Sequence, residues 1–228
     1  VLELLLPRLD GVSLLDEIKN RNLKIKSIVT SSYKDNHVIT NSENYNVYCY
    51  LLKPYSMLSL EKRIKDVSIS GRMEMINTNS NYYVMVDYAH TPNGIESLLK
   101  FVHTLDINRS IVVQGVAGER DFLKRPIMGK TLVDSASYVI FTYEDPRSED
   151  PKDIIDMMIR DVKGKYDNYE IVLDRHDAIK RGIDLAGEKD IVLILGKGNE
   201  NYEKLKDKVI YFNDIEEAKK AIKERNNN

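Results

Sequence analysis

Three short segments of the chain combine glycine with charged residues in patterns that suit anion binding. The first runs from Gly115 to Pro126 and places Arg120 shortly after two glycines. The other two read E-D-P-R at 144–147 and G-K-G-N-E at 196–200. Glycine lets backbone N–H groups approach a ligand closely, and arginine offers a planar fork that pairs with a carboxylate or phosphate. These segments are therefore the first candidates for a ligand site.

Each segment also has an ordinary structural explanation. Gly-rich loops between a strand and a helix are common, and a lone surface arginine usually forms a weak ion pair. G-K-G also occurs as a turn after a core strand, and the spacing of a phosphate-binding P-loop is absent. A fourth segment, D-Y-A-H-T-P at 87–92, holds His90, which could equally cap a loop. The occurrence of four such segments together indicates a site more strongly than any one alone.

The predicted secondary structure brings the four segments to one edge of a sheet. From Gly71 onward, apolar runs alternate with helical periodicity, which predicts a mainly parallel α/β sheet. Strands are predicted at 82–86, 111–113, 138–143, 170–173, 191–195 and 209–212, and helices at 94–104, 126–135, 151–162, 177–185 and 215–224. Each segment lies at or near the C-terminal end of a strand, the edge where ligands bind in open parallel sheets.

Residues 1–67 predict a separate α/β unit, and residues 68–70 a junction before the domain at 71–228. Strands are expected at 1–6, 25–30 and 47–52, with helices at 13–20 and 57–67 and a weak one at 33–46. This stretch resembles the back part of a response-regulator receiver domain, a partial flavodoxin-like unit, and most closely the sporulation phosphorelay regulators. The similarity rests on L-P-R-L-D-G at 6–11, Ser31, and L-K-P-Y at 52–55.

The receiver resemblance implies a limited chemistry. Glu3 occupies the position of the phosphorylated aspartate, Ser31 that of the hydroxyl residue, and Lys53 that of the invariant lysine. The first receiver strands are absent, and with them the acidic pair that binds magnesium. We therefore expect no acyl-phosphate chemistry from Glu3.

Composition sets the broad class of the protein. The chain has 228 residues, of which 42% are hydrophobic and 31% charged, so it can form a core and stay in solution. A net charge of −2 gives no general reason to expect nucleic acid or an anionic membrane as a partner. Cys49 is the single cysteine, which excludes an intrachain disulfide. Without a signal peptide or a long apolar run, a cytoplasmic location is expected.

Residues from Gly71 to Lys223 resemble the C-terminal domain of the Mur ligases, and most closely the tripeptide synthetases among them. The match rests on G-x-x-G-x-R-D-x-x-K-R-P-x-M-G at 115–129 and on the three companion segments in the same order. The resemblance implies a Rossmann-like fold and a role in peptidoglycan synthesis, and hence in cell shape and division. It also implies ATP-dependent joining of meso-diaminopimelate or lysine to UDP-MurNAc-L-Ala-D-Glu.

Roles for individual residues follow from the same resemblance. In the substrate site, Arg120 and Arg147 would grip the amino-acid carboxylate, Gly196 and Glu200 the distal ammonium group. Asp145 replaces an asparagine that touches substrate, and its carboxylate would repel a substrate carboxylate and attract an ammonium group, which leaves diaminopimelate or lysine open. The nucleotide, ATP or ADP, would be held by Arg72, Asp87 and His90. No catalytic residue and no metal ligand is expected in this chain.

The resemblance extends to one part of a ligase. The UDP-sugar-binding domain and the central ATPase domain, with its phosphate loop and magnesium ligands, have no counterpart in the sequence. We therefore expect the nucleotide site to be incomplete, magnesium to act only in a full enzyme, and this chain to be inactive alone. Two alternatives remain open: a signalling protein with a ligase-like output domain, and a mis-joined chimera, since Val1 begins inside an apolar run.

Overall fold

The structure is a computed structural model that describes residues 2–3, 11–21, 23, 27–31, 47–52 and 70–227. The chain divides into two compact units, Val1–Ser68 and Ile69–Asn228. The helices predicted at 33–46 and 57–67, as well as Lys53, lie outside the described residues.

The first unit contains a small parallel sheet. Strands β1 (Leu2–Glu3), β2 (Ser27–Ser31) and β3 (Val47–Leu52) pair in the order β1-β2-β3, all parallel. Helix α1 (Gly11–Asn20) connects β1 with β2, and its Leu15 is fully buried. Because parallel neighbours need a crossover connection, this arrangement is a βαβ unit extended by one strand.

The second unit is built on a six-stranded sheet. Its strands are β4 (Glu74–Ile76), β5 (Tyr83–Asp87), β6 (Ser110–Gln114), β7 (Tyr138–Phe141), β8 (Tyr169–Ile171) and β9 (Ile191–Leu195). The order is β4-β5-β9-β6-β7-β8, and every pair is parallel except β4 with β5. The prediction of a mainly parallel sheet is confirmed. The central strand β9, I-V-L-I-L, is buried along its whole length, as expected for a strand covered on both faces.

Helices cover both faces of this sheet. Helices α2 (Pro92–Val102), α3 (Lys124–Ser135) and α4 (Pro151–Ile159) share one core with the sheet, whereas α5 (Arg175–Leu185) and α6 (Asp214–Asn226) share another. Adjacent strand residues alternate between the two cores: Val112 faces the first and Val113 the second. The sheet is therefore a middle layer with a dry interface on each side.

Side-chain caps fix the helix starts. Thr91 accepts a hydrogen bond from Gly94 N (3.2 Å) at the start of α2, and Asp150 from Lys152 N (2.8 Å) at the start of α4. Proline follows each cap, where its missing N–H costs nothing. The caps and prolines therefore fix where α2 and α4 begin.

Two elements of the second unit were not predicted. Strand β4 pairs antiparallel at the sheet margin, and β10 (Tyr202–Lys204) forms a separate hairpin with β11 (Val209–Tyr211). Along the described ranges, no helix combines the length and the hydropathy that a bilayer crossing requires.

Candidate functional site

A cleft of about 380 Å³ opens at the C-terminal edge of the six-stranded sheet. The loops after β6, β7 and β9, together with the β10 hairpin, line it. All five residues predicted to bind the amino acid are in its wall: Arg120, Asp145, Arg147, Gly196 and Glu200. The sequence placed these residues on three loops spread over 80 positions, and the fold brings them together.

The two arginine-bearing loops are joined through their backbones. Gly118 N donates to Asp145 O (3.0 Å), and a Cβ at Gly118 would overlap the carbonyl of Pro146. Glycine is therefore required at position 118 for the loops to meet. Arg120 is exposed and forms no hydrogen bond or ion pair within the described part of the chain, so its fork is available. Arg147 lies 3.9 Å from Glu119 at its Nη1, and its buried Nε has no partner among the described residues.

Left-handed backbone conformations concentrate in these loops. Glu119, Asp145 and Arg147 have φ values of 53°, 42° and 55°, respectively. Such values are uncommon for residues with a Cβ, and they collect where a ligand site fixes side-chain directions. Here they turn the Asp145 and Arg147 side chains into the cleft wall.

Asp145 differs from its expected role as a free carboxylate. Its Oδ1 accepts hydrogen bonds from Lys197 Nζ (2.9 Å) and from Lys204 N (3.2 Å), and the residue is 5% exposed. Lys197 is fully buried. The negative charge of Asp145 is therefore matched within the protein, and the repulsion expected between Asp145 and a substrate carboxylate is reduced.

Gly196 and Glu200 lie on the loop after β9. Gly196 has φ 111°, and a Cβ there would overlap the Glu144 carboxylate. Glu200 Oε2 lies 3.6 Å from Lys197 Nζ, and the Tyr88 hydroxyl lies 3.5 Å from Glu200 Oε1. With a side chain 27% exposed, Glu200 can still accept a ligand ammonium group.

Two further carboxylates are buried in or beside the cleft, each with at least one oxygen that has no hydrogen-bond partner among the described residues. They are Glu144, whose Oε2 is unpaired, and Glu203, both of whose oxygens are unpaired. Burial raises the pKa of each to about 7, although the charges of Arg175 and Lys197 act in the opposite direction. Both groups therefore exchange protons near neutral pH.

Of the three residues expected at the nucleotide, His90 lines the cleft but Arg72 and Asp87 do not. The Arg72 guanidinium stacks on the Tyr88 ring, 4.3 Å from its centroid. Asp87 accepts hydrogen bonds from Met73 N and Ala89 N, both at 2.8 Å, so its carboxylate shapes the loop. His90 Nδ1 lies 2.8 Å from the Tyr88 carbonyl, which can only accept, so this nitrogen donates.

Arg125 belongs to the segment at 115–126 but is not among the residues that line the cleft. It is 1% exposed and pairs with both oxygens of Glu149 (2.7 and 2.8 Å). This hydrogen bonding lowers the pKa of Glu149 to about 2. Glu149 also accepts from Glu119 N, so the pair supports the Arg120 loop from behind.

Several residues in or beside the cleft were absent from the sequence prediction, above all Lys197, Glu144, Tyr88, Tyr202 and Lys204. Lys197 and Glu144 lie inside predicted motifs, so the sequence placed them near the site although it did not indicate their roles. Within the described ranges, no group of three or more His, Cys, Asp or Glu side chains is arranged to hold a metal ion.

Comparison with known proteins identifies the family of the second unit. Residues 71–198 match the family model "Mur ligase, glutamate ligase domain". The UDP-N-acetylmuramoyl-L-alanyl-D-glutamate–2,6-diaminopimelate ligase of Clostridium botulinum is 35% identical over 230 residues, which cover 94% of this chain and 47% of the relative. The enzyme of the same name from Bacillus cereus is 42% identical over 166 residues, covering 72% and 33%. The chain thus spans about half or less of the length of these relatives.

A solved structure of a ligase with this name superposes with a TM-score of 0.67 at 24% identity, covering 88% of this chain and 54% of that one. It supports the fold. Because the family model covers more than half of the sequence, the assignment does not depend on this superposition. The chain belongs to the Mur ligase family, and residues 71–198 form its glutamate ligase domain.

Proposed function

We propose that the second unit is the amino-acid-binding domain of a UDP-N-acetylmuramoyl-L-alanyl-D-glutamate–2,6-diaminopimelate ligase. The observation that carries the proposal is the convergence of Arg120, Arg147 and Glu200 on one cleft. Two guanidinium forks suit two carboxylates, and one carboxylate suits an ammonium group. A diamino dicarboxylic acid such as meso-diaminopimelate presents these groups in one small molecule.

The charge of the cleft supports the same substrate over lysine. Four cationic side chains line it against three carboxylates: Arg120, Lys124, Arg147 and Lys204 against Glu144, Asp145 and Glu200. Lys197 adds a further positive charge directly behind Asp145. A ligand with a second carboxylate gains from this balance, whereas lysine, which carries net positive charge, does not.

In the complete reaction, the amine of the amino acid would attack an acyl phosphate formed on the substrate carboxylate with ATP. The residues of this chain would bind and orient the amino acid. Positioning of this kind supplies up to about 7–11 kcal/mol of a barrier. We propose that the chain alone has no ligase activity, because it carries no phosphate loop.

ATP or ADP remains part of the proposal as a shared ligand. Arg72 offers an exposed guanidinium to phosphate or ribose oxygens, and His90 lies at the adjacent cleft wall. Asp87 fits this role less well, because both of its carboxylate oxygens already accept backbone hydrogen bonds. The reaction would take place in the cytoplasm, where ATP is available.

Titration calorimetry of the full chain with meso-diaminopimelate, L-lysine and ADP tests this function. We expect diaminopimelate to bind more tightly than lysine. Arg147→Ala should weaken diaminopimelate binding by about 1.5–3 kcal/mol, the range for a hydrogen bond to a charged group. Arg160→Ala is the matched control, because that arginine is exposed and, among the described residues, forms its ion pair with its neighbour Asp161. Equal losses for both variants, or no binding by the parent chain, would contradict the proposal.

For the first unit we propose a partial receiver-like fold. Its support is the parallel order β1-β2-β3 with Glu3 at the end of β1 and Ser31 at the end of β2. A signalling role would require Glu3 to act as a fixed negative charge. Limited proteolysis tests the division at 68–70: we expect a protected fragment that begins near Gly71, and a single protected core spanning both units would contradict it.

A further inference from the structure

We infer that Lys197 is a specificity-determining residue that acts as an internal ammonium group and selects against ligands carrying only an amine at their far end. The inference rests on the proposed function, because it concerns the same amino-acid cleft. Lys197 contacts Asp145 and lies close to Glu200, two of the side chains predicted to bind the substrate.

The position of Lys197 is the first support. Its side chain is fully buried, and its Nζ lies 2.9 Å from Asp145 Oδ1 and 3.6 Å from Glu200 Oε2. Asp145 belongs to the loop after β7 and Glu200 to the loop after β9. One protein cation thus lies between the two carboxylates that would otherwise attract the ammonium group of a ligand.

The cost of burying this charge is the second support. A buried ammonium group is tolerated only where its charge is matched and its protons find acceptors. Asp145 matches it at short range, and the Tyr202 ring lies 5.3 Å from Nζ. Because the lysine is held in this way, Asp145 is neutralised whether or not a ligand is bound.

The effect on ligand choice follows from the charge balance. With Lys197 present, Glu200 is the less screened of the two carboxylates and can hold one ammonium group, while the arginines hold carboxylates. If Lys197 were neutral, Asp145 and Glu200 would form an anionic pair that favours lysine and repels a second carboxylate. Lys197 therefore shifts the preference of the cleft toward diamino dicarboxylates.

Lys204 offers a matched control. It also lines the cleft, and its Nζ lies 5.0 Å from the centroid of the Tyr202 ring, but it forms no ion pair with any residue in the described ranges. Lys204→Met removes one positive charge from the same cleft and leaves the ion pair between Lys197 and Asp145 in place. Comparison of Lys197→Met with Lys204→Met therefore separates a specific role from a general loss of charge.

The test measures the ratio of affinities for meso-diaminopimelate and L-lysine by titration calorimetry. We expect Lys197→Met to reduce the preference for diaminopimelate by about tenfold or more, and Lys204→Met to reduce it by about threefold or less. n-Propylammonium added to Lys197→Ala should restore part of the parent ratio, a rescue that a general packing defect would not show.

Asp145→Asn keeps the test decisive if Lys197 variants fail to fold. This near-isosteric change removes one negative charge and leaves Lys197 with Glu200, 3.6 Å away, as a neighbouring carboxylate, so the preference for diaminopimelate should rise. The inference is overturned if the Lys197 and Lys204 variants show equal ratios, or if Asp145→Asn shifts the ratio toward lysine. Failure of the parent chain to bind either amino acid would instead overturn the proposed function.

Discussion

Two buried ion pairs of the second unit differ in the number of hydrogen bonds between their partners and in their access to the cleft. Arg175 meets Asp214 through two hydrogen bonds (2.8 and 2.7 Å) and Leu195 O through a third (2.9 Å), and both side chains of the ion pair are fully buried. Lys197 meets Asp145 through one bond, with Glu200 at 3.6 Å beside the open cleft.

The difference indicates two uses of the same interaction. The Arg175 pair joins the start of α5, the start of α6 and the end of β9, which fixes elements of the fold. The Lys197 pair joins two loops that line the cleft, where its charge balance can respond to a ligand. Buried pairs contribute little net stability compared with apolar packing, but breaking one leaves an uncompensated charge.

The largest effect is expected for Arg175→Leu. Asp214 would remain buried without a partner, which should lower the free energy of unfolding by about 3–5 kcal/mol in urea titrations. The double variant Arg175→Leu/Asp214→Leu should recover most of the loss, because no charge is left behind. A loss below about 1 kcal/mol in the single variant would contradict the expectation that Asp214 is left as an uncompensated buried charge.

Asp145→Asn should have a smaller effect on stability. It removes the charge that matches Lys197, but Glu200 and water at the cleft remain within reach of the ammonium group. We expect a loss of about 1–3 kcal/mol in the same urea titrations. A loss equal to that of Arg175→Leu would mean that access to the cleft does not reduce the cost of breaking the Lys197–Asp145 pair.

The buried carboxylate of Glu203, which has no hydrogen-bond partner among the described residues, predicts that the free energy of unfolding depends on pH. Burial raises its folded-state pKa to about 7, above the ordinary value of 4.5, so the folded state binds more protons between these values. The stability it contributes is therefore present below about pH 4.5 and lost as pH rises through about 7. Glu203→Gln should match the parent chain at pH 5 and exceed it by about 1–2 kcal/mol at pH 8.

The control for this experiment is Glu170→Gln, since that glutamate is less buried and already pairs with Arg181. Urea midpoints measured at pH 5, 6, 7 and 8 should change with pH in parallel for the control and the parent chain. If the pH profile of Glu203→Gln equals that of the parent chain, the raised pKa of Glu203 is contradicted.

The smallest effect is expected at an exposed pair. Lys100 and Glu96 lie 2.6 Å apart on the surface of α2, with side chains 73% and 47% exposed. Lys100→Ala should change stability by less than about 0.5 kcal/mol, and added salt should reduce even that difference. A larger loss would contradict the expectation that breaking a surface ion pair costs less stability than breaking either of the two buried ones.

The sequence predicted most of the second unit because its signals are local. The apolar run at 191–195 indicated a strand covered on both faces, and glycine or charged residues after each strand indicated the ligand edge. The strand β4 was missed because Glu74-Met75-Ile76 contains one β-branched residue, and β10 because Tyr202-Glu203-Lys204 reads as a polar loop. Short strands gain their stability from pairing partners, which periodicity does not reveal.

The sequence placed the five residues predicted for the amino acid at one sheet edge, but it did not reveal how the side chains of the cleft pair with one another. Lys197 and Asp145 are 52 positions apart, and their contact depends on how two loops pack. The left-handed backbone at Asp145 and Arg147 has no glycine to signal it. The carboxylate of Asp87 accepts hydrogen bonds from Met73 N and Ala89 N. These bonds also depend on how two backbone segments fold together, so the sequence could not predict them.

The contact between Gly118 and the carbonyl of Pro146 has a consequence for redesign of this domain. Main-chain contacts of Gly118, together with the hydrogen bond that Glu149 accepts from Glu119 N, set the separation of the loops that carry Arg120 and Arg147, so that separation does not require these two arginine side chains. Libraries that vary positions 120 and 147 can therefore search for new amino-acid substrates on a frame of constant width. Position 118 must stay glycine in every member of such a library.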